Sequence, residues 1–225
     1  MIPWVKIDTA RIPGSLEELR LMRRGAEFSI MLGTNELMNS RLSGSEAALA
    51  TLTARKIEAV RKPHLLIGGL GMGFTLRAAL AVLGTGARIS VAELVPAVVV
   101  WAKGPMSEIF GGSLADPRVS IQETDVTEII RSHHATFDAI LLDVDNGPEG
   151  LTRKTNDGLY SSAGLRAAHA ALRPGGVLAV WSSGPNPPFS KRLRAAGFDV
   201  NEVVVRATGR GGGARHIIWI ALKAT

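Results

Sequence analysis

Cysteine is absent from this 225-residue chain, which excludes disulfides and thiolate chemistry. Aromatic residues are scarce at 5%, too few to supply a row of base-stacking platforms for single-stranded nucleic acid. Long apolar runs are also missing. The richest stretches are broken by glycine, proline or charge, so no segment reads as spanning a bilayer. The opening MIPWVKIDTARIPG lacks the basic-then-apolar pattern of a secretory leader. Together these absences predict a cytoplasmic globular protein that does not engage membranes. Histidines 64, 133, 134, 169 and 216 have no metal-like spacing with acids, so no metal is expected. Neither a nucleophilic-serine motif nor a phosphate-loop lysine motif occurs.

What the chain does have is an ordinary globular balance, 46% hydrophobic and 20% charged. Its length suits one large-cored domain, or a domain with a small appendage. The net charge of +6 invites a nucleic-acid partner. The basic residues are scattered, however, as Arg23-Arg24, Arg61-Lys62, Arg153-Lys154 and Lys191-Arg192. That spread describes a solvated basic surface better than a binding track.

From Pro63 onward, apolar stretches of strand length alternate with Ala- and Leu-rich helical stretches. HLLIGG, RISVAEL, VSIQETD, FDAILLDVD and VLAVWSS read as strands. GFTLRAALAVLG, PAVVVWAKGPMSEIF, VTEIIRSH, SSAGLRAAHAALRPGG and FSKRLRAAGF read as helices. Pro96 opens the second helix and Pro174-Gly175-Gly176 closes the fourth. DVNEVVVRAT and RHIIWIALKA have no helix between them, only the glycine-rich GRGGGA, and so read as an antiparallel pair. The pattern predicts an α/β fold with a doubly wound, mostly parallel seven-stranded sheet. Before it, LRLMRRGAEFSIMLGTNELMNS reads as a small antiparallel β-ribbon and SGSEAALATLTARKIEAV as a connecting helix. Ser43 or Ser45 is placed to cap that helix, with Glu46 at capping-box spacing from Ser43. The expected division is therefore 1–58 for the ribbon and helix, and 59–225 for a Rossmann-like ligand-binding domain.

In such sheets the ligand sits beyond the carboxyl ends of the strands. The first strand ends in GGLGMG, where Gly69, Gly71 and Gly73 allow close backbone approach to a ligand at a helix N-terminus. The spacing is not the dinucleotide fingerprint, because Phe74 stands where the third glycine belongs; a hydride-transferring dehydrogenase is disfavoured. The second strand ends in Glu93, placed to accept hydrogen bonds from ribose hydroxyls. Asp125 ends the third and is a candidate both for an adenine amino group and for a helix N-cap. The fourth ends in LLDVDNGPEG, where Asp143 and Asp145 emerge as close carboxylates that perturb each other's proton affinity and attract a cationic amine. The alternative for that stretch is a solvated Asx-turn. Taken together these strand ends point to an adenosine-containing ligand.

The chain resembles the class I S-adenosylmethionine-dependent methyltransferase fold and, within it, the spermidine synthase-like group, over roughly residues 60–220. LLIGGLGMGFTLRAAL is similar to the group's glycine motif and VAELVPAVVVWAK to its acidic second motif. FDAILLDVDNGPEG and GLYSSAGLRAAHAALRPGGVLAVWS are similar to its catalytic strand, its Leu-Tyr-Ser/Thr block and its Pro-Gly-Gly turn. The ribbon and SGSEAALA also look like the small β-domain of aminopropyl transferases. The resemblance implies catalytic roles for Asp143 and Asp145. It implies donor binding by Gly69, Gly71, Gly73, Glu93, Asp125 and Asp143, and acceptor binding by Glu46, Asn146, Tyr160 and Trp181. It further implies a small-molecule acceptor and a homodimer. There are departures. The group's Gln at the ribbon end and its Tyr-His-Glu triplet are replaced by LMNS and Gly44-Ser45-Glu46, in which only the Glu matches. Asn146 stands at the second carboxylate position of the catalytic loop, and Met72 replaces an Asp of the glycine motif.

Asn186-Pro187-Pro188-Phe189 matches the short motif of enzymes that methylate adenine amino groups in nucleic acid. In those enzymes it follows strand four and clamps an extruded base. Here it follows strand five, so the match reads as coincidence. The prolines end a strand and start a helix, and Phe189 is a core contact. Trp181 is a core residue or lines the acceptor pocket.

The expectation is group transfer from S-adenosylmethionine, a methyl group in the first instance, to an amine-containing acceptor. The alternative is aminopropyl transfer from decarboxylated S-adenosylmethionine. Further alternatives are an RNA methyltransferase and a catalytically silent ligand-binding protein.

Overall fold

A computed structural model describes residues 2–144, 147–148, 156–208 and 213–225. Strands β1 (Val5–Arg11), β2 (Glu18–Arg24), β3 (Glu27–Leu32) and β4 (Asn35–Asn39) form an antiparallel sheet in chain order. The sequence reading of a ribbon missed β1. That strand lies at the sheet's edge with nearly every residue exposed, and its alternation is short, limited to Val5-Lys6-Ile7-Asp8.

Helix α1 (Gly44–Lys56) follows, then β5 (His64–Gly68), α2 (Phe74–Val82), β6 (Arg88–Ala92) and α3 (Pro96–Lys103). Next come α4 (Ser107–Phe110), β7 (Val119–Gln122), α5 (Val126–Ser132) and β8 (Phe137–Leu142). The chain closes with α6 (Asn156–Leu159), α7 (Ser162–Ala171), β9 (Leu172–Ser182), α8 (Pro187–Ala195), β10 (Phe198–Arg206) and β11 (Arg215–Lys223).

The central sheet has the order β10-β11-β9-β8-β5-β6-β7. Only β11 runs against its neighbours, pairing antiparallel with both β9 and β10. This is the doubly wound sheet with a reversed strand that the alternation of elements predicts. Strand β8 is buried at all six positions and β5 at four of five, as strands covered on both faces must be. The chain leaves β5 toward β6 on one side and later returns to β8 on the other. That reversal opens a crevice at the carboxyl ends of β5, β6 and β8.

Two expectations need correction. The helix expected over residues 96–110 is two helices, because Gly104 and Pro105 interrupt it and the helix resumes only at Ser107. Pro174-Gly175-Gly176 does not trail a helix. The ladder of β9 already begins with Leu172 opposite Phe137 and slips register before Ala139 meets Val177. The Lys223 ammonium takes the carbonyls of His169 and Leu172 at 2.8 and 2.7 Å and so ends α7 at that point.

One hydrophobic core joins the two sheets. It runs from Leu21, Phe28 and Ile30 of the N-terminal sheet through Leu49 of α1 to Leu65, Ile67 and Trp101. Asp8 of β1 accepts the indole N–H of buried Trp101 at 2.7 Å, fastening the N-terminal sheet to α3. The expected 58/59 division falls in the turn after α1.

Candidate active site

The glycine turn crosses the mouth of the crevice. Gly69, Gly71 and Gly73 all have positive φ, at +92°, +49° and +75°. A Cβ at position 69 would lie 2.4 Å from the Asp143 carbonyl, and one at 73 would lie 2.3 Å from the Phe110 ring. Two of the three glycines are thus required by packing as well as by conformation. The turn is also pinned by a side chain. Glu93, at the end of β6, accepts from the amides of Leu70 (3.0 Å) and Val95 (2.9 Å), one on each carboxylate oxygen. Burial pushes its carboxyl above the usual range, against the pull of those amides. The amides of Gly71 and Leu94 also act on the carboxylate and pull in the same direction.

Glu93 lines one lobe of the crevice, together with Gly69, Gly71, Leu94, Thr124, Asp125, Val126 and Asp143. Asp125 does cap α5, accepting from Thr127 N at 2.8 Å, and it faces the same lobe. The lobe combines a buried acid, apolar walls from Leu94 and Val126, and half-buried glycine backbone.

A second lobe adjoins it, lined by Leu37, Met38, Asn39, Glu46, Met72, Phe74, Asp143 and Trp181. Asp143 therefore faces both lobes. Thr75, the second residue of α2, donates to its Oδ2 at 2.6 Å. Burial and the neighbouring charge of Glu46 push the Asp143 carboxyl up to about 7, while the Thr75 bond pulls it down. Glu46 is itself raised by burial.

Glu46 is not the capping-box residue that its spacing suggests. Ser43 is the N-cap of α1 without any side-chain capping bond, and Glu46 instead accepts from Ser45 Oγ at 2.8 Å and faces the lobe. The Gly44 amide is held by the Ala207 carbonyl at 2.8 Å, so tertiary contact replaces the local cap.

Tyr160 is a second correction. It was expected at the acceptor, but it is buried on the opposite side of the sheet, edge-on to Phe189 with ring centroids 5.6 Å apart. Its hydroxyl points to the Val144 carbonyl at 3.5 Å, so it packs behind the end of β8 rather than lining the lobe. Trp181 does line the lobe, edge-on to the His216 ring at 4.7 Å. Asp145 and Asn146 lie outside the described residues.

The Asn-Pro-Pro-Phe run has a local explanation. Asn186 caps α8 by accepting from Phe189 N at 2.8 Å, the two prolines fill the first turn, and Phe189 is fully buried against Trp219.

The sequence reading missed Thr75, Met38, Asn39 and the Ser45–His216 contact. Thr75 alone carried a local signal, since it follows the glycine turn into the first turn of α2. Among the described residues no group of acids and histidines is placed to hold a metal ion.

No family model matches the chain. A polyamine aminopropyltransferase of Mycobacterium tuberculosis is 32% identical over 145 residues, 60% of this chain and 27% of that protein. Its counterpart in Mycobacterium bovis matches to the same extent. The chain thus matches only about a quarter of the length of these curated relatives. The spermidine synthase of Thermotoga maritima superposes with a TM-score of 0.76 at 18% identity, covering 97% of this chain and 73% of that one. A spermidine synthase bound to the transition-state analogue AdoDATO gives 0.75 at 17% identity, covering 97% and 72%. Human Methyltransferase-like protein 13 with SAH gives 0.59 at 19% identity, covering 80% of each chain. The fold is the Rossmann-like class I methyltransferase fold, and the resemblance to spermidine synthases holds in sequence and in architecture.

Proposed function

We propose that the protein transfers an aminopropyl group from decarboxylated S-adenosylmethionine to a small amine. The supporting observation is the pair of carboxylates, Glu46 and Asp143, that α1 and β8 bring to one lobe beside the Glu93 lobe. Among the described residues no lysine or arginine lines that lobe. The amino-acid tail of intact S-adenosylmethionine carries a carboxylate, which two acids and no cation would repel. The decarboxylated donor carries only a cationic amine there, and the acceptor is cationic as well. Methyl transfer, the first expectation from sequence, rests on missing polyamine residues. The aminopropyl alternative has this charge pattern and the names of the curated relatives on its side.

The bound sulfonium supplies an electrophilic carbon next to positively charged sulfur. The protein's part is positional. Gly69–Gly73 and Glu93 hold the adenosine portion, with Asp125 beside the base. Asp143, facing both lobes, orients the acceptor nitrogen toward that carbon and takes its proton. Holding two reactants in line is worth several kcal/mol of barrier, on the order of 7–11 in favourable cases.

The test is turnover of decarboxylated and intact S-adenosylmethionine with a panel of short mono- and diamines, following methylthioadenosine and methylated products. Methylthioadenosine release that requires the decarboxylated donor and an amine supports the reading. Methylated amine formed from the intact donor alone would replace it with methyl transfer. Binding without turnover of either donor would replace it with a silent ligand-binding protein.

A further inference from the structure

Transfer of a carbon group to an ammonium releases one proton. The acceptor R–NH3+ loses a proton, its nitrogen forms the new N–C bond, and the C–S bond breaks to leave a neutral thioether. The secondary amine then carries the positive charge that the sulfonium gave up. Asp143 takes the released proton first and passes it to Glu46, the second acid of the same lobe, whose charge acts on Asp143; burial disfavours both as anions, so the proton needs a way out.

Behind Glu46 the structure holds a chain of polar groups from two elements, α1 and β11. Ser45 Oγ donates to Glu46 Oε2 at 2.8 Å, and His216 Nδ1 lies 2.9 Å from the same Ser45 Oγ. Ser45 is 1% exposed, so no bulk water competes for its hydroxyl. His216 is half-buried on β11, where its ring packs edge-on against Trp181 of the lobe. The Ser45–His216 contact joins residues 171 apart in sequence and is not needed to end α1 or to pair β11, which its backbone ladders already hold.

We infer that His216 and Ser45 are positioning residues that relay the acceptor's proton from Glu46 out of the lobe. This rests on the amine-transfer reading above. With Glu46 ionised, His216 Nδ1–H donates to Ser45, and Ser45 donates to Glu46. When Glu46 gains the proton the same three groups reverse. With the neutral ring's hydrogen on Nε2, exchanged through solvent, Glu46 then donates to Ser45 and Ser45 donates to Nδ1; transfer along these two bonds makes the imidazolium, which loses its Nε2 proton to solvent and leaves Nδ1–H donating to Ser45 and Ser45 donating to ionised Glu46. The elements packed around His216 carry Glu46, Arg55 and Lys56 on α1, Arg173 on β9, Asp199, Glu202 and Arg206 on β10, and Arg215 and Lys223 on its own strand; Glu46, Arg206 and Arg215 are those at its end of these elements. Among the described residues none forms an ion pair with it. Burial holds its pKa below the ordinary histidine value, which keeps it ready to pass a proton on rather than retain it.

Two measurements test this. In steady-state assays, His216→Asn preserves a group near Nδ1 that bonds Ser45 but does not titrate. Its kcat should fall about 10- to 100-fold, less than loss of the base itself, with donor KM unchanged. His216→Ala should regain rate with added imidazole. Wild-type kcat in His216→Asn, with no imidazole effect on His216→Ala, would overturn the relay. The second measurement needs no turnover. In a 15N NMR titration of the His216 ring, Glu46→Gln or Ser45→Ala should move its midpoint further down, because the carboxylate that favours the imidazolium is removed or disconnected. An unchanged midpoint in both variants would overturn the relay. A wild-type protein that turns over no amine would instead overturn the proposed function, and the NMR arm would still decide whether the three groups are coupled.

Discussion

Thr75 Oγ1 donates to Asp143 Oδ2 over 2.6 Å, joining the first turn of α2 to the end of β8 across the mouth of the crevice. A hydrogen bond to a charged group is worth about 1.5–3 kcal/mol and favours the ionised carboxylate. Thr75→Val should therefore raise the Asp143 pKa beyond its present value of about 7 and lower turnover at neutral pH. Thr75→Ser should retain both. The rising limb of kcat/KM against pH reads the difference.

Glu46 acts on Asp143 in the opposite sense. Its charge helps push that carboxyl up from 3.8 to about 7. Glu46→Gln should move the rising limb of kcat/KM toward acid, and Thr75→Val should move it toward alkali. Opposite displacements in the two variants would identify the titrating group as Asp143, and displacement in the same direction would reject that assignment.

The same shift sets a stability trend. A carboxyl whose folded pKa lies above its unfolded value favours the fold in its protonated form. The contribution is complete below about pH 4 and is lost as pH rises through about 7. Asp143→Asn cannot ionise, so its stability should fall less than that of the wild type between pH 4 and 7. Denaturant midpoints across that range measure this, and parallel curves would show that Asp143 titrates normally in the fold.

The Asn186-Pro187-Pro188-Phe189 run makes a prediction of independence. Asn186→Ala removes an N-cap worth about 1 kcal/mol, which lowers Tm by about 2–4 °C in a protein of this size. Donor affinity and turnover should not change, since the motif packs against Trp219 and Tyr160, outside the lobes. A selective loss of activity at full stability would restore a functional reading of the motif.

The features legible in the sequence were those encoded over short spans. The alternation from β5 onward, the glycine turn, and the acid ending β6 each reveal themselves within a few residues, and the sheet order follows from connection rules. Features made by packing between distant segments were not legible. Ser45 is a helix-start serine by its neighbours and reads as a cap, yet the fold sets it between Glu46 and His216. Tyr160 sits in a block that resembles an acceptor-binding motif, but the ring turns to Phe189 behind the sheet. Strand β1 is harder to read because it is an exposed edge strand whose alternation covers only Val5-Lys6-Ile7-Asp8.

The proposed function requires that a nucleoside lie over the Gly69–Gly73 turn with its sugar held by Glu93. Calorimetric titration with methylthioadenosine, which lacks any amino-acid tail, tests it most directly on the wild type and on Glu93→Gln, with thermal unfolding of each to establish that the variant is folded. The prediction is saturable one-to-one binding to the wild type, weakened about tenfold or more in Glu93→Gln, the loss of roughly one charge-assisted hydrogen bond. No binding to the wild type, or equal affinity in a folded Glu93→Gln, would contradict it.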